Sequence, residues 1–273
     1  MTSALAGLQS STQNILTSLQ SASSDIAAVQ KRLATGQRIN SVVDGPSNYF
    51  AARDHKSRAD QLDARKDGIS EAMETIKAGL NGISGKEKLI EAARGILTQA
   101  RSTTATADLD KLATQFDGLM DQIDAVADDA NYKGVNLLAS GTLSAKFNES
   151  GASSLTLTGF DGSSTGLGLA KVTDNTGVNT AAKLDALETK LNTAKDTLKS
   201  ESAGMGANMT VLTTRHDFIT DMTATLREGA AKLTEADMNS EAANLLALQT
   251  RQSLGVTALS MANQASQSVM RLF

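Results

Sequence analysis

At 273 residues the chain has room for one or two domains, and it carries no Cys or Trp, a single Pro (Pro46) and very few aromatics. Zero cysteines exclude a disulfide framework and thiolate metal sites, and a core of Leu, Ile, Val, Met and Ala suits helix-on-helix packing better than a sandwich or barrel. A formal charge of −4 without a basic stripe leaves out the footprint of a nucleic-acid binder, and no run of about eighteen apolar residues exists to span a membrane.

The first 24 residues, Met1 to Ser24, carry no charge, yet they are not featureless. Leu5, Leu8, Ile15, Leu19, Ile26, Val29 and Leu33 follow a heptad seam interrupted only by Thr12 and Ala22, which predicts a long helix. Lys31 and Arg32 suit its last turn, and Gly36 supplies a left-handed stop. Thirty such residues make a helix of roughly 45 Å. The N-terminus lacks a basic segment followed by a continuous apolar one, so no cleaved signal peptide is expected.

Irregular sequence follows from Gly36 to Gly45, and Pro46 then fits the first turn of a second long helix. Its seam is Leu62, Ile69, Met73, Ile76, Leu80, Ile83, Ile90 and Leu97; Gly79, Gly82 and Gly85 weaken it and leave room for a bend. A third helix is predicted over about Asp108–Asp129, with Leu109, Leu112, Phe116, Leu119, Ile123 and Val126 inward. Residues 140–180 change character, about half being Ser, Thr or Gly. Within them Leu143–Phe147 and Leu155–Leu157 alternate at period two around a turn, which reads as a small hairpin.

A long helical stretch resumes at about Ala181, with Leu184, Leu187, Leu191, Leu198, Met205, Met209, Leu212, Ile219, Met222 and Leu226 as its seam. Thr234, three residues before Asp237, resembles a capping box opening the final helix. That helix carries Leu245, Leu248, Val256, Leu259, Met270 and Phe273 at helical spacing, and its residues Gln252 to Met270 are again uncharged. The expected fold is mainly α: a long antiparallel helical bundle or coiled coil with a small β-hairpin insert, its terminal helices pairing as a discontinuous coiled coil.

The search for chemistry yields none. His55 and His216 lack any clustered ligand spacing. Gly79–Lys86 fails as a phosphate loop, because Glu87 stands where a Ser or Thr should hold magnesium and the stretch lies inside a helical pattern. Asp129–Ser140 fails as a calcium loop, with Lys133 at its fifth position and Ser140 in place of the bidentate glutamate, and reads as a turn. Asn148-Glu-Ser150 and Asn208-Met-Thr210 match the N-glycosylation pattern, a short pattern that arises often by chance. No nucleophile–base pair can be named, so no catalytic residue, cofactor or metal is assigned.

What remains is the uncharged surface of both terminal helices. Ser10, Ser11, Gln13, Asn14 and Ser21 at one end, and Asn263, Gln264 and Gln267 at the other, stand where a surface helix ordinarily carries Lys and Glu. Small and amide side chains allow close contact on several sides without burying charge, which favours packing in an assembly over a monomeric bundle. The self-assembly residues so expected are Leu5, Leu8, Ile15, Leu19, Ile26, Val29, Leu33, Leu245, Leu248, Val256, Leu259, Ala262, Val269, Met270, Leu272 and Phe273.

Three motifs carry a resemblance. Lys31-Arg-Leu-Ala-Thr-Gly-Gln-Arg-Ile-Asn40 is similar to the N-terminal signature of bacterial flagellins, and Asn131-Tyr-Lys-Gly-Val-Asn-Leu-Leu138 to their mid-chain motif. Glu235-Ala-Asp-Met238, Leu245-Leu-Ala-Leu-Gln-Thr-Arg-Gln252, Leu259-Ser-Met-Ala-Asn-Gln-Ala265 and Val269-Met-Arg-Leu-Phe273 resemble the flagellin C-terminus. The resemblance implies a subunit that polymerises into the flagellar filament for swimming motility, with no enzymatic role. It implies a terminal self-assembly domain, 1–36 with 237–273, forming the inner tube. Connectors at 37–45 and 228–236 and a central outer-tube bundle at 46–227 complete the chain. The partners it implies are other copies of the chain, the flagellar export apparatus and chaperone, the filament cap and hook-junction proteins, without nucleic acid or membrane insertion. The implied location is the extracellular filament. The runner-up reading is a hook–filament junction protein; a chemoreceptor-type helical hairpin is disfavoured by the β insert. Val42–Phe50 departs from the family's pattern, and Ala92 and Gly95 replace charged residues expected of an immune-receptor contact, so receptor recognition does not carry over.

Overall fold

The computed structural model describes the backbone of residues 2–271, and within it all side chains except those of residues 2–9, 175, 266 and 269–271. Five helices hold most of the chain: α1 (Thr2–Thr35), α2 (Pro46–Ser102), α3 (Thr106–Asp129), α4 (Ala181–Thr234) and α5 (Met238–Arg271). Between α3 and α4 lie two antiparallel strand pairs, β1 (Asn131–Tyr132) with β2 (Val135–Asn136) and β3 (Thr142–Lys146) with β4 (Ser154–Thr158). The mainly α architecture with a small β insert is therefore as the sequence implies. Two compact units divide the chain: Met1–Ser57 with Thr225–Phe273, and Arg58–Ala224.

In the unit Arg58–Ala224, α2 buries Leu62, Ile69, Ile76, Ile83, Ile90 and Leu97, each seven residues after the last. On α4, Leu184, Leu191, Leu198, Met205, Leu212 and Ile219 repeat the same period and are equally buried. A seven-residue repeat held this long keeps one face turned to a partner helix, as in a coiled coil. The cross-helix bonds give the direction: Arg101 pairs with Asp185 and Glu188, Lys195 with Glu91, and Thr213 with Met73, so α2 and α4 run antiparallel. Met73, Leu80, Leu187 and Met209, expected inward, flank the seam and are half-buried. On α3, Met120 and Ala127 turn inward while Leu119 and Val126, expected there, are half-buried beside them.

The glycines of α2 do not interrupt it; the helix is continuous from Pro46 to Ser102. They make room instead. A Cβ on Gly82 would lie 2.5 Å from Leu138 Cδ1 and 3.0 Å from Ala130 Cβ, so the chain after β2 seats its buried Leu137 and Leu138 directly against the helix. The Asn131–Asn136 stretch, read as a turn, is a two-residue hairpin. Lys133 and Gly134 both have positive φ at its tip, and Asn131 Oδ1 accepts the Gly134 N–H at 2.9 Å. The expected second hairpin forms in register Leu143 with Leu157, closed by Asn148 Oδ1 accepting from Ser153 N at 3.1 Å.

In the other unit, α1 ends where Gly36 N donates to Arg32 O at 2.8 Å with Gly36 at φ 69°. The irregular stretch after it contains a 3₁₀ turn, Val42–Asp44. Asp44 Oδ2 closes that turn by accepting from Asn40 N, Ser41 N and Ser41 Oγ, and these donors, the Ser41 hydroxyl first, hold its carboxyl below the ordinary value. The stretch read as a connector from 228 is helical as far as Thr234. Gln37 bridges Glu235, Arg38 N donates to Thr234 O at 2.7 Å, and Ala236 N to Gly36 O at 3.0 Å, tying the two chain crossings together. Thr234 is not a cap: its hydroxyl donates back to Ala230 O within α4. The cap of α5 is Asp237, whose Oδ1 accepts from Asn239 N at 3.0 Å and Ser240 N at 3.2 Å.

Candidate self-assembly interface

The helices α1 and α5 pack against each other antiparallel, with Arg32 Nη1 meeting Glu241 Oε1 at 3.0 Å at one end and Leu19 seated over Gly255 further along. Gly255 is what lets Leu19 approach: a Cβ there would stand 3.1 Å from Leu19 Cδ1. Glu241 is nearly buried, its Oε1 paired and its Oε2 without a partner, so the Arg32 guanidinium carries the compensation for its charge.

The structure sorts the expected assembly residues unevenly. Ile26 and Val29 are buried within the chain, together with Ala22. Ile15, Leu19, Leu33, Leu245, Leu248, Leu259 and Ala262 are only half-buried by the pairing. Val256 does not lie on the seam; it is 54% exposed, because seven residues after Leu248 the inward place belongs to Gly255. The side chains of Leu5, Leu8, Val269 and Met270, and residues Leu272 and Phe273 entirely, lie outside the described residues.

What the sequence reading missed is a second apolar stripe. Leu246, Leu254 and Met261 are 68%, 65% and 60% exposed, and at 100° per residue they fall on the face of α5 opposite Glu241, Leu248 and Gly255. On α1, Leu16 is half-exposed as well. The signal was present in the sequence as apolar residues off the seam, but a single seam had already accounted for helix amphipathicity.

Beside this stripe runs a groove between the two helices. One hollow of about 630 Å³ has Ser10, Asn14 and Ser18 of α1 facing Arg251, Leu254 and Ala258 of α5. A second, about 350 Å³, continues along Asp25, Ala28 and Arg32 of α1 and Asn244, Ala247 and Arg251 of α5. Arg251 lines both. Apart from Arg251 and, in the second hollow, Asp25 and Arg32, the residues named are small, apolar or hydrogen-bonding, and another helix can approach them closely at little desolvation cost. Helix-sized apolar stripes on two sides of one helix are what an assembling subunit needs and a finished monomer avoids.

Among the described residues no three His, Cys, Asp or Glu side chains are grouped to hold a metal ion, and no helix is long and apolar enough to cross a membrane. His55 and His216 are both half-buried on their helices.

Known proteins match this chain at both ends. The bacterial flagellin N-terminal helical region matches residues 8–142, and the bacterial flagellin C-terminal helical region matches residues 188–273. Flagellin FljM of Caulobacter vibrioides is 32% identical over 260 residues, covering 94% of each chain, and its Flagellin FljO is 31% identical over the same shares. A flagellin of Brucella melitensis is 29% identical over 276 residues, 97% of each chain. Among solved structures, Bacillus cereus flagellin matches with 22% identity and a TM-score of 0.48, over 59% of this chain and 94% of that one. With both helical regions and near full-length relatives matched, the chain belongs to the bacterial flagellin family, the structural subunits of the flagellar filament.

Proposed function

We propose that this flagellin joins its neighbours through the α1–α5 pair, with the seam holding the pair together inside each subunit and the outward stripe and groove holding subunits to one another. The observation that carries this is the exposure of Leu246, Leu254 and Met261 opposite the intrachain face. Each large apolar side chain buried on assembly contributes roughly 1.5–3 kcal/mol, repeated at every subunit. In this reading Leu5, Leu8, Ile15, Leu19, Ile26, Val29, Leu33, Leu245, Leu248, Val256, Leu259, Ala262, Val269, Met270, Leu272 and Phe273 serve assembly, either directly or by fixing the pair that presents the stripe.

The same reading takes 1–36 with 237–273 as the inner-tube domain and 46–227 as the outer-tube domain. By likeness to the family we assign as further partners the flagellar export apparatus with its chaperone, the filament cap and the hook-junction proteins. The chain's relatives named above are flagellins, which supports a filament role over a junction role.

Leu254→Lys tests the interface. In the monomer the ammonium reaches water, so thermal unfolding should be unchanged. In a subunit contact it would be buried without a carboxylate, at a cost of several kcal/mol. The expected result is folded monomer by circular dichroism and no filaments by negative-stain microscopy. Filaments of normal length would show that this face meets solvent in the assembly.

A further inference from the structure

The stretch Gly159–Thr173 has no helix or strand, yet it is held against α3 at several points by carboxylates of that helix. Asp117, Asp121 and Asp124 recur at four and three residues, along one face. Asp124 Oδ1 accepts from Ser164 N at 2.6 Å, and its Oδ2 accepts from Ser164 Oγ at 3.0 Å. Asp121 meets Lys171 Nζ at 2.5 Å. Asp117 accepts from Val172 N at 2.7 Å and Thr173 N at 3.0 Å. From α2, the wholly buried Lys86 donates to Gly162 O at 2.6 Å. A Cβ on Gly162 would lie 2.6 Å from that Nζ, so a side chain there would push the ammonium from its present place. Beneath these polar fastenings Leu167 and Leu169 are buried.

The helices are held chiefly by apolar heptads, which do not titrate, with exposed ion pairs such as Lys195–Glu91 and Arg101–Asp185 at their edges. We propose that Gly159–Thr173 is a strap that opens in acid as a unit separate from the helices, with Lys86 and Asp124 as its lock. The charged groups that face the lock are Lys86 of α2, Asp124 and Asp128 of α3, and Asp161 of the strap. Along the rest of the strap stand Asp117 and Asp121 of α3 with Lys171, and beyond its end Lys183 of α4 donates to Thr176 O.

Protonating Asp161 takes away a negative charge that faces the buried Lys86 ammonium, which donates to the Gly162 carbonyl. The sign follows from Asp161, whose carboxyl is held below its ordinary value of 3.8 by the Ser163 hydroxyl and N–H and by Lys86. A lowered carboxyl contributes stability at neutral pH that is lost as pH falls through its folded value, so opening belongs below about pH 4. Burial in turn pushes Lys86 down to about 8, so at acid pH it remains charged and dependent on those carboxylates.

Hydrogen exchange on the full-length monomer, corrected for intrinsic rates, tests this. Between pH 7 and pH 3 the Ser164, Leu167, Leu169 and Val172 amides should lose at least tenfold in protection while those of Leu112–Ile123 in α3 keep theirs. Asp124→Asn should bring the same selective loss to pH 7. Strap and α3 losing protection together, or a strap still protected at pH 3, would overturn the proposal. Should the variant fail to fold, the wild-type pH series decides alone.

Discussion

The heptads of α2 and the seam of α1 look alike in sequence but end in different states. Ile69, Ile76, Ile83 and Ile90 are buried to 2% exposure or less, whereas Ile15, Leu19 and Leu33 are left half-open by the pairing with α5. Several elements of the unit Arg58–Ala224 surround α2: α4 along its heptad, Leu137 and Leu138 in its glycine row, and the strap over Lys86. A two-helix pair has no third side, so its apolar residues stay partly wet. One region completes its packing within the chain; the other leaves apolar side chains open, which in the proposed assembly neighbouring subunits would cover. Uniform apolar spacing therefore does not report whether a core is finished.

The sharpest way to break that contrast is a matched truncation. Ile76→Ala should cost the monomer about 2–5 kcal/mol, the range for deleting a fully buried aliphatic side chain. Leu254→Ala should change monomer stability by less than about 0.5 kcal/mol, as exposed positions do. Urea unfolding of the two monomers checks this, and equal losses would erase the distinction between the regions.

A second measurement concerns Lys86, a charged side chain wholly buried beside the α2 heptad. Lys86 is lowered to about 8 from an ordinary 10.5. Between those values the unfolded chain holds the proton that the folded one has lost, so this group's contribution makes stability rise with pH, by up to about 3 kcal/mol. Below pH 8 the buried charge is a cost. Wild type should therefore gain stability relative to Lys86→Met as pH rises from 7 to 10.5. Denaturant midpoints of both proteins across that range give the answer; a constant gap would mean the ammonium is not titrating in the fold.

The smallest effect tests the incomplete region. Asp237→Ala removes the two cap bonds of α5 and should cost about 1 kcal/mol. Hydrogen exchange should find the loss in the first turns of α5, with Ile69–Ile90 of α2 unaffected. Faster exchange in α2 would mean that the two regions unfold as one.

The long helices, the Gly36 stop, the Pro46 start and the β3–β4 hairpin were legible in the sequence because each depends on neighbours within a few residues. The family motifs, likewise local, pointed to the filament subunit, and the uncharged runs Met1–Ser24 and Gln252–Met270 pointed to contacts on several sides. Only the tertiary structure decided which residues at helical spacing face inward. Gly255 takes the seam place that Val256 was expected to hold, because a side chain as small as hydrogen leaves no mark in an apolar count while admitting Leu19. Lys86 and Gly162 are 76 residues apart, and Asp124 and Ser164 are 40 apart. No local pattern announces such pairs: their spacing is fixed by how the intervening helices and hairpins fold back, and their energy arises only once water has been excluded around them.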